Sequence, residues 1–127
     1  MAHDMGSFRT DVDIENPAQP GVRVHFGNVL VDTGAELSWF PGARLEIIGI
    51  RRLKEMRFRQ TDGTILQRWT GVAVLHCAGT MTGDEVVFGE LNDLTLLGSR
   101  SLEGLNVTID PVHKRLVDAG PAPAAAA

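Results

Sequence analysis

The segment Val29-Leu30-Val31-Asp32-Thr33-Gly34-Ala35 carries an apolar stretch straight into a carboxylate, a hydroxyl and a glycine. Branched and apolar residues in its first half suit a buried strand. The acid that follows does not suit burial, because an unpaired carboxylate gives up its hydration at high cost; Asp32 therefore needs a partner or a wet cleft. Gly34 and Ala35 remove bulk where the chain has to turn. A bare Asp-Thr-Gly arises by chance in roughly one chain in forty of this length, so the tripeptide takes its meaning from its surroundings.

On the N-terminal side, Val22, Val24 and Phe26 alternate with Arg23 and His25, and Gly27-Asn28 offers a tight turn into residues 29–32. This pattern predicts a hairpin that ends on the acid. On the C-terminal side, Pro41 opens a short helix through residue 48, closed by Gly49. Residues 56–60 and 64–69 flank Thr61-Asp62-Gly63, whose Asp-Gly step predicts a projecting hairpin with few apolar side chains at its tip. Residues 72–78 and 85–88 bracket a turn at Thr82-Gly83-Asp84. Residues 94–97 form an apolar strand closed by Gly98, followed by a short helix at 99–102 and a strand at 106–110. Short strands with turn punctuation predict an all-β fold with one or two short helices.

The ends differ from the middle. Residues 1–19 read as a polar N-terminal segment outside the fold, residues 20–118 as one domain, and residues 119–127 as a flexible Pro/Ala-rich tail. The 127 residues, 43% hydrophobic, suffice for a single core. A net charge of -4 without a cluster of Lys and Arg offers nothing to a phosphate backbone, so no nucleic-acid partner is expected. Cys77, the single cysteine, lies in an apolar run and reads as core. His3, His25, His76 and His113 are scattered, so no metal site and no cofactor are expected. No apolar window reaches the length of a membrane helix and no secretion signal is evident; the expectation is a soluble, cytoplasmic protein.

The sequence resembles the pepsin-like and retroviral-type aspartic peptidases, in their single-domain, retropepsin-like form. The family signature is an apolar strand, then Asp-Thr/Ser-Gly-Ala/Ser, and later two apolar residues with Gly before a short helix. Here these are Val29 to Ala35 and, about sixty residues on, Leu96-Leu97-Gly98-Ser99. Trp39, seven residues after the acid, matches a spacing seen in pepsin-like lobes. Ser99-Arg100 departs from the usual residues after that glycine, and Thr61-Asp62-Gly63 from the Gly-rich retroviral flap tip.

The resemblance implies a closed β-barrel-type acid protease fold with Asp32 as the catalytic carboxylate. Thr33, Gly34 and Ala35 would support the active-site loop, with Thr33 bonding across a two-fold axis. Thr61, Asp62 and Gly63 would form a substrate-binding flap, and Leu96, Leu97 and Gly98 would back the acid. The chain has one Asp-Thr-Gly, so the second acid would come from a second copy in a homodimer. Asp11, Asp13, Asp62, Asp84, Asp93, Asp110 and Asp118 lack the Thr-Gly context and read as cap, turn or surface acids. Trp69 reads as core packing. The implied activity is hydrolysis of a peptide or protein substrate; the alternative is a dimeric peptide-binding or regulatory domain that keeps the motif with little activity.

Overall fold

The structure is a computed structural model and describes residues 8–125. The order of elements is β1 (Arg9–Glu15), β2 (Arg23–Val31), β3 (Ser38–Pro41), α1 (Gly42–Ile47), β4 (Lys54–Arg59), β5 (Ile65–Cys77), β6 (Thr80–Gly89), β7 (Leu96–Leu97), α2 (Ser99–Leu105), β8 (Val107–Asp110) and β9 (Arg115–Asp118). One sheet runs β1-β2-β7-β3-β6-β5-β4, and β1 also pairs with β5, so six of its seven strands form a closed ring with β4 outside it. Closure removes the open edges of the ring strands, which an all-β fold must otherwise protect, and leaves β4 as an edge. The all-β expectation holds. Inside the ring pack Val12, Ile14, Phe26, Val29, Val31, Phe40, Leu45, Leu75, Val86, Phe88 and Leu97.

Residues 9–15 correct the reading of a polar segment outside the fold. In β1, Val12 and Ile14 are buried while the acids that alternate with them, Asp11, Asp13 and Glu15, lie on the other face. This strand pairs with β2 (Asp13 opposite His25) and with β5 (Asp13 opposite His76), so it is the stave that closes the barrel. Its period-2 alternation is carried by only two apolar side chains among three acids, too few to raise the segment above its polar composition. Residues 1–7 of that expected segment lie outside the described residues, as do 126 and 127 of the tail. The tail begins tied down: Ala119 N–H donates to the Asn106 carbonyl (3.0 Å) and Asn106 Nδ2 to the Gly120 carbonyl (2.8 Å).

Gly27-Asn28 is not a turn. β2 runs through it and pairs with β1, with a register shift between Thr10 and Val12 that marks a β-bulge. Asn28 takes the left-handed conformation (φ 57°), and its N–H donates to Asp11 Oδ1 (3.2 Å). The extra residue changes which face points inward. Phe26 and Val29 are both buried although three positions apart, which an unbroken strand forbids. After the bulge Val29 and Val31 face the core, so Asp32 faces away from it.

The turn expected at Thr82-Gly83-Asp84 lies instead at Ala78-Gly79, both with positive φ (52° and 77°), the requirement of a two-residue hairpin. Residues 82–84 sit inside β6, and β5 is one strand of 13 residues where two were expected. Only Leu96 and Leu97 of the expected 94–97 strand pair as β7. The helix after Gly98 extends to Leu105, and β9 was not anticipated. Cys77 is buried as expected, and burial pushes its thiol pKa up.

Candidate active site

Asp32 follows the last residue of β2 and is half-buried, with Thr33 and Gly34 exposed and Ala35 half-buried. Its strand runs parallel to β7, Val31 opposite Leu97. The Asp32 N–H donates to the Leu97 carbonyl (3.0 Å), and the Val31 N–H to the Phe8 carbonyl (2.9 Å). The chain then turns sharply, with the Ala35 N–H on the Asp32 carbonyl (3.2 Å). Asp32 Oδ1 accepts the Gly34 N–H (2.9 Å), which holds the carboxylate in one orientation. Among the described residues nothing bonds its other oxygen. A half-exposed carboxylate held by one oxygen and free at the other can exchange a proton with a bound water.

The loop is fastened to the start of α2: Ser99 N–H donates to the Ala35 carbonyl (2.8 Å) and Arg100 N–H to the Glu36 carbonyl (3.1 Å). Gly98 makes this approach possible. Its backbone is ordinary (φ -92°, ψ 176°), but a Cβ there would lie 2.6 Å from the Leu37 oxygen and 2.8 Å from the Glu36 oxygen. Gly34 is different, since its Cβ would meet only Asp32 Oδ1, at 3.2 Å. Leu96, Leu97 and Gly98 are all buried behind the acid.

The other acids are engaged locally. Asp11 receives the Asn28 N–H, Asp13 contacts the His25 ring (2.6 Å), Asp110 the His113 ring (2.8 Å), and Asp118 the Gly120 N–H. The His113 hydrogen bond, with backbone donors behind it, holds the Asp110 pKa below the usual carboxylate value. Asp84 and Asp93 are more than surface acids, with side chains only 9% and 14% exposed. Asp93 takes two parallel bonds from Arg68, Nε to Oδ2 (2.7 Å) and Nη2 to Oδ1 (3.0 Å). That pairing outweighs burial and keeps the Asp93 pKa low and the Arg68 pKa high.

Thr61, Asp62 and Gly63 form the exposed tip of the β4–β5 hairpin. Gly63 has φ 88° with open space around it, so glycine is there for its backbone. The Thr64 N–H donates to Asp62 Oδ1 (2.9 Å) and lowers the Asp62 pKa. The hairpin is moored along its strands: Phe58 meets Trp39 edge-on with ring centroids 5.0 Å apart, and Arg68 reaches Asp93 on the loop before β7. Trp69 is 38% exposed and faces solvent in part, contrary to the core reading.

Sequence reasoning passed over Ser38 and Ser101, both fully buried. Gly98 N–H donates to Ser38 Oγ (2.9 Å), Ser38 Oγ lies 2.6 Å from Ser101 Oγ, and Ser101 Oγ donates to Asp84 Oδ2 (2.9 Å). The available signal was a lone hydroxyl inside the apolar run Leu37-Ser38-Trp39-Phe40.

No known family profile and no curated protein matches the chain. Among solved structures, it is similar to the solution structure of the protease of simian foamy virus (mac), with a TM-score of 0.50 and 20% identity over 75% of this chain and 91% of that one. The likeness establishes a retropepsin-like fold. No helix among the described residues is long and apolar enough to cross a membrane, and no group of acids, His and Cys there could hold a metal ion.

Proposed function

We propose that the chain is an aspartic endopeptidase that works as a homodimer, each protomer contributing Asp32 to one shared site. The observation that carries this reading is the placement of Asp32: turned out of the core by the bulge, clamped through Oδ1 by Gly34, and free at its second oxygen. The foamy virus relative is a protease, and its likeness in fold supports the same chemistry here. Asp11, Asp13, Asp62, Asp84, Asp93, Asp110 and Asp118 are held by their own neighbours, which favours a second copy as the source of the second acid.

Two Asp32 carboxylates held close cannot both ionise cheaply, so the pair retains one proton. The ionised member takes a proton from the water between them, and the protonated member donates to the peptide carbonyl as water adds to its carbon. The resulting gem-diol collapses as the nitrogen is protonated, breaking the C–N bond and returning the pair to its starting state. Thr33 bonds across the two-fold axis, and the hairpin tip at Thr61-Asp62-Gly63 closes over an extended peptide by strand addition.

The test is cleavage of a diverse peptide pool with and without a statine-type inhibitor, beside an Asp32→Asn control. Inhibitor-sensitive cleavage with a bell-shaped, mildly acidic pH profile, lost in the control, supports the reading. Cleavage that persists at the parent rate in Asp32→Asn refutes it, and an inactive parent that binds peptide as tightly as the variant favours a peptide-binding domain.

A further inference from the structure

We propose that Asp84 is a positioning residue for Asp32, acting through a one-way chain of hydroxyl hydrogen bonds that grips the Leu97-Gly98 peptide; the consequence for catalysis rests on the peptidase reading, the chain itself does not. An ionised carboxylate only accepts hydrogen bonds, so Ser101 commits its single proton to Asp84 Oδ2. The 2.6 Å contact between Ser38 and Ser101 then requires Ser38 to donate. Ser38 is left with lone pairs alone for its other neighbour, and that neighbour is a donor, the Gly98 N–H. The charge on Asp84 thus fixes the direction of every bond in the chain, and each donor polarises the next.

Asp84 is itself held. Its Oδ1 accepts the Glu85 N–H (2.8 Å), with the Arg100 guanidinium 3.7 Å away. Ser38 and Ser101 are both 0% exposed, so water does not substitute for either hydroxyl. At the other end of the chain, Gly98 N–H and Leu97 C=O belong to one peptide unit, and the Leu97 carbonyl accepts the Asp32 N–H (3.0 Å). A peptide unit is planar and rigid. Ser38 on its N–H and Asp32 on its C=O therefore grip one plate from opposite edges, and tilting that plate moves the backbone of the acid.

The experiment uses the full chain and reads amide exchange at Gly98 and Asp32 by NMR, with kcat and KM beside it. Ser38→Ala should speed exchange at both amides about tenfold. Asp84→Asn, nearly isosteric but able to present either a donor or an acceptor, should speed it severalfold. The double variant should match Ser38→Ala alone, because in this proposal the effect of Asp84 on Gly98 passes through Ser38. In the active enzyme the same variants should lower kcat about tenfold with KM within about twofold of the parent. An Asp84→Asn variant that leaves both amides at the parent rate, or whose effect adds fully to that of Ser38→Ala, overturns the proposal. Should a variant not fold, the parent still decides: slowly exchanging hydroxyl protons of Ser38 and Ser101 support the chain, and their absence at low temperature overturns it. A parent without peptidase activity that shows this coupling refutes the peptidase reading and supports the relay.

Discussion

Replacing Asp32 by Asn keeps the shape of the side chain and an oxygen for the Gly34 N–H, but removes the group that can take a proton from water. Peptide cleavage should fall by several orders of magnitude while thermal stability and affinity for an uncleavable peptide stay close to the parent values; calorimetry and binding titration check both. Gly98 poses the opposite case. Its dihedrals suit any residue, yet a Cβ would press on the backbone at Glu36 and Leu37, which cannot give way as a flexible side chain would. Gly98→Ala should cost about 1–3 kcal/mol in chemical denaturation, toward the upper end, and displace the acid loop. Gly34→Ala, whose new methyl meets only the Asp32 carboxylate, should leave the fold nearly as stable and act on the chemistry.

The bulge in β2 and the clamp on the hairpin strands show how elements aim those residues. Asn28 sits in the left-handed region, where asparagine and glycine are tolerated and branched residues are not. Asn28→Val should cost about 1–2 kcal/mol and Asn28→Gly almost nothing, measured by urea denaturation. The Arg68–Asp93 pair is nearly buried from both sides, so Arg68→Met strands a carboxylate and should cost about 3 kcal/mol. It should also raise amide exchange in β4 and raise KM. The Asp93 pKa is lower in the folded chain than its ordinary value of 3.8, so the clamp contributes fully above that value. Its contribution is lost as pH falls through the depressed folded value. Hairpin protection should therefore hold at mildly acidic pH and weaken below about pH 4. The Asp-Thr-Gly loop, the Leu-Leu-Gly strand and the Asp62-Gly63 hairpin were legible because each rests on local signals, a breaker residue beside an apolar run. The bulge was not, because Gly27-Asn28 looks the same whether the chain reverses there or continues, and only the partner β1 decides. Ser38, Ser101 and Asp84 were hidden for a related reason: they lie far apart in sequence and acquire a common role only when β3, α2 and β6 meet.

At the scale of the whole molecule, one chain offers one Asp32, and the proposed shared site would make activity depend on association. Specific activity should rise with protein concentration, and the rise should coincide with the monomer-to-dimer transition in sedimentation. Full activity from a species that sediments only as a monomer would refute the shared site. The fold imposes a further dependence, on time. β1 begins at Arg9, yet it closes the ring against residues 74–76 of β5. Its hairpin with β2 is local and can form early, whereas the closing contact spans about sixty residues and must wait for the intervening chain. During synthesis the first hairpin therefore emerges with an unpaired edge that has no partner until Cys77 has left the ribosome. The acidic side chains Asp11, Asp13 and Glu15 along that strand oppose its pairing with a second copy, so truncated chains ending before that point should self-associate through β1 once those acids are replaced by neutral residues, as read by light scattering.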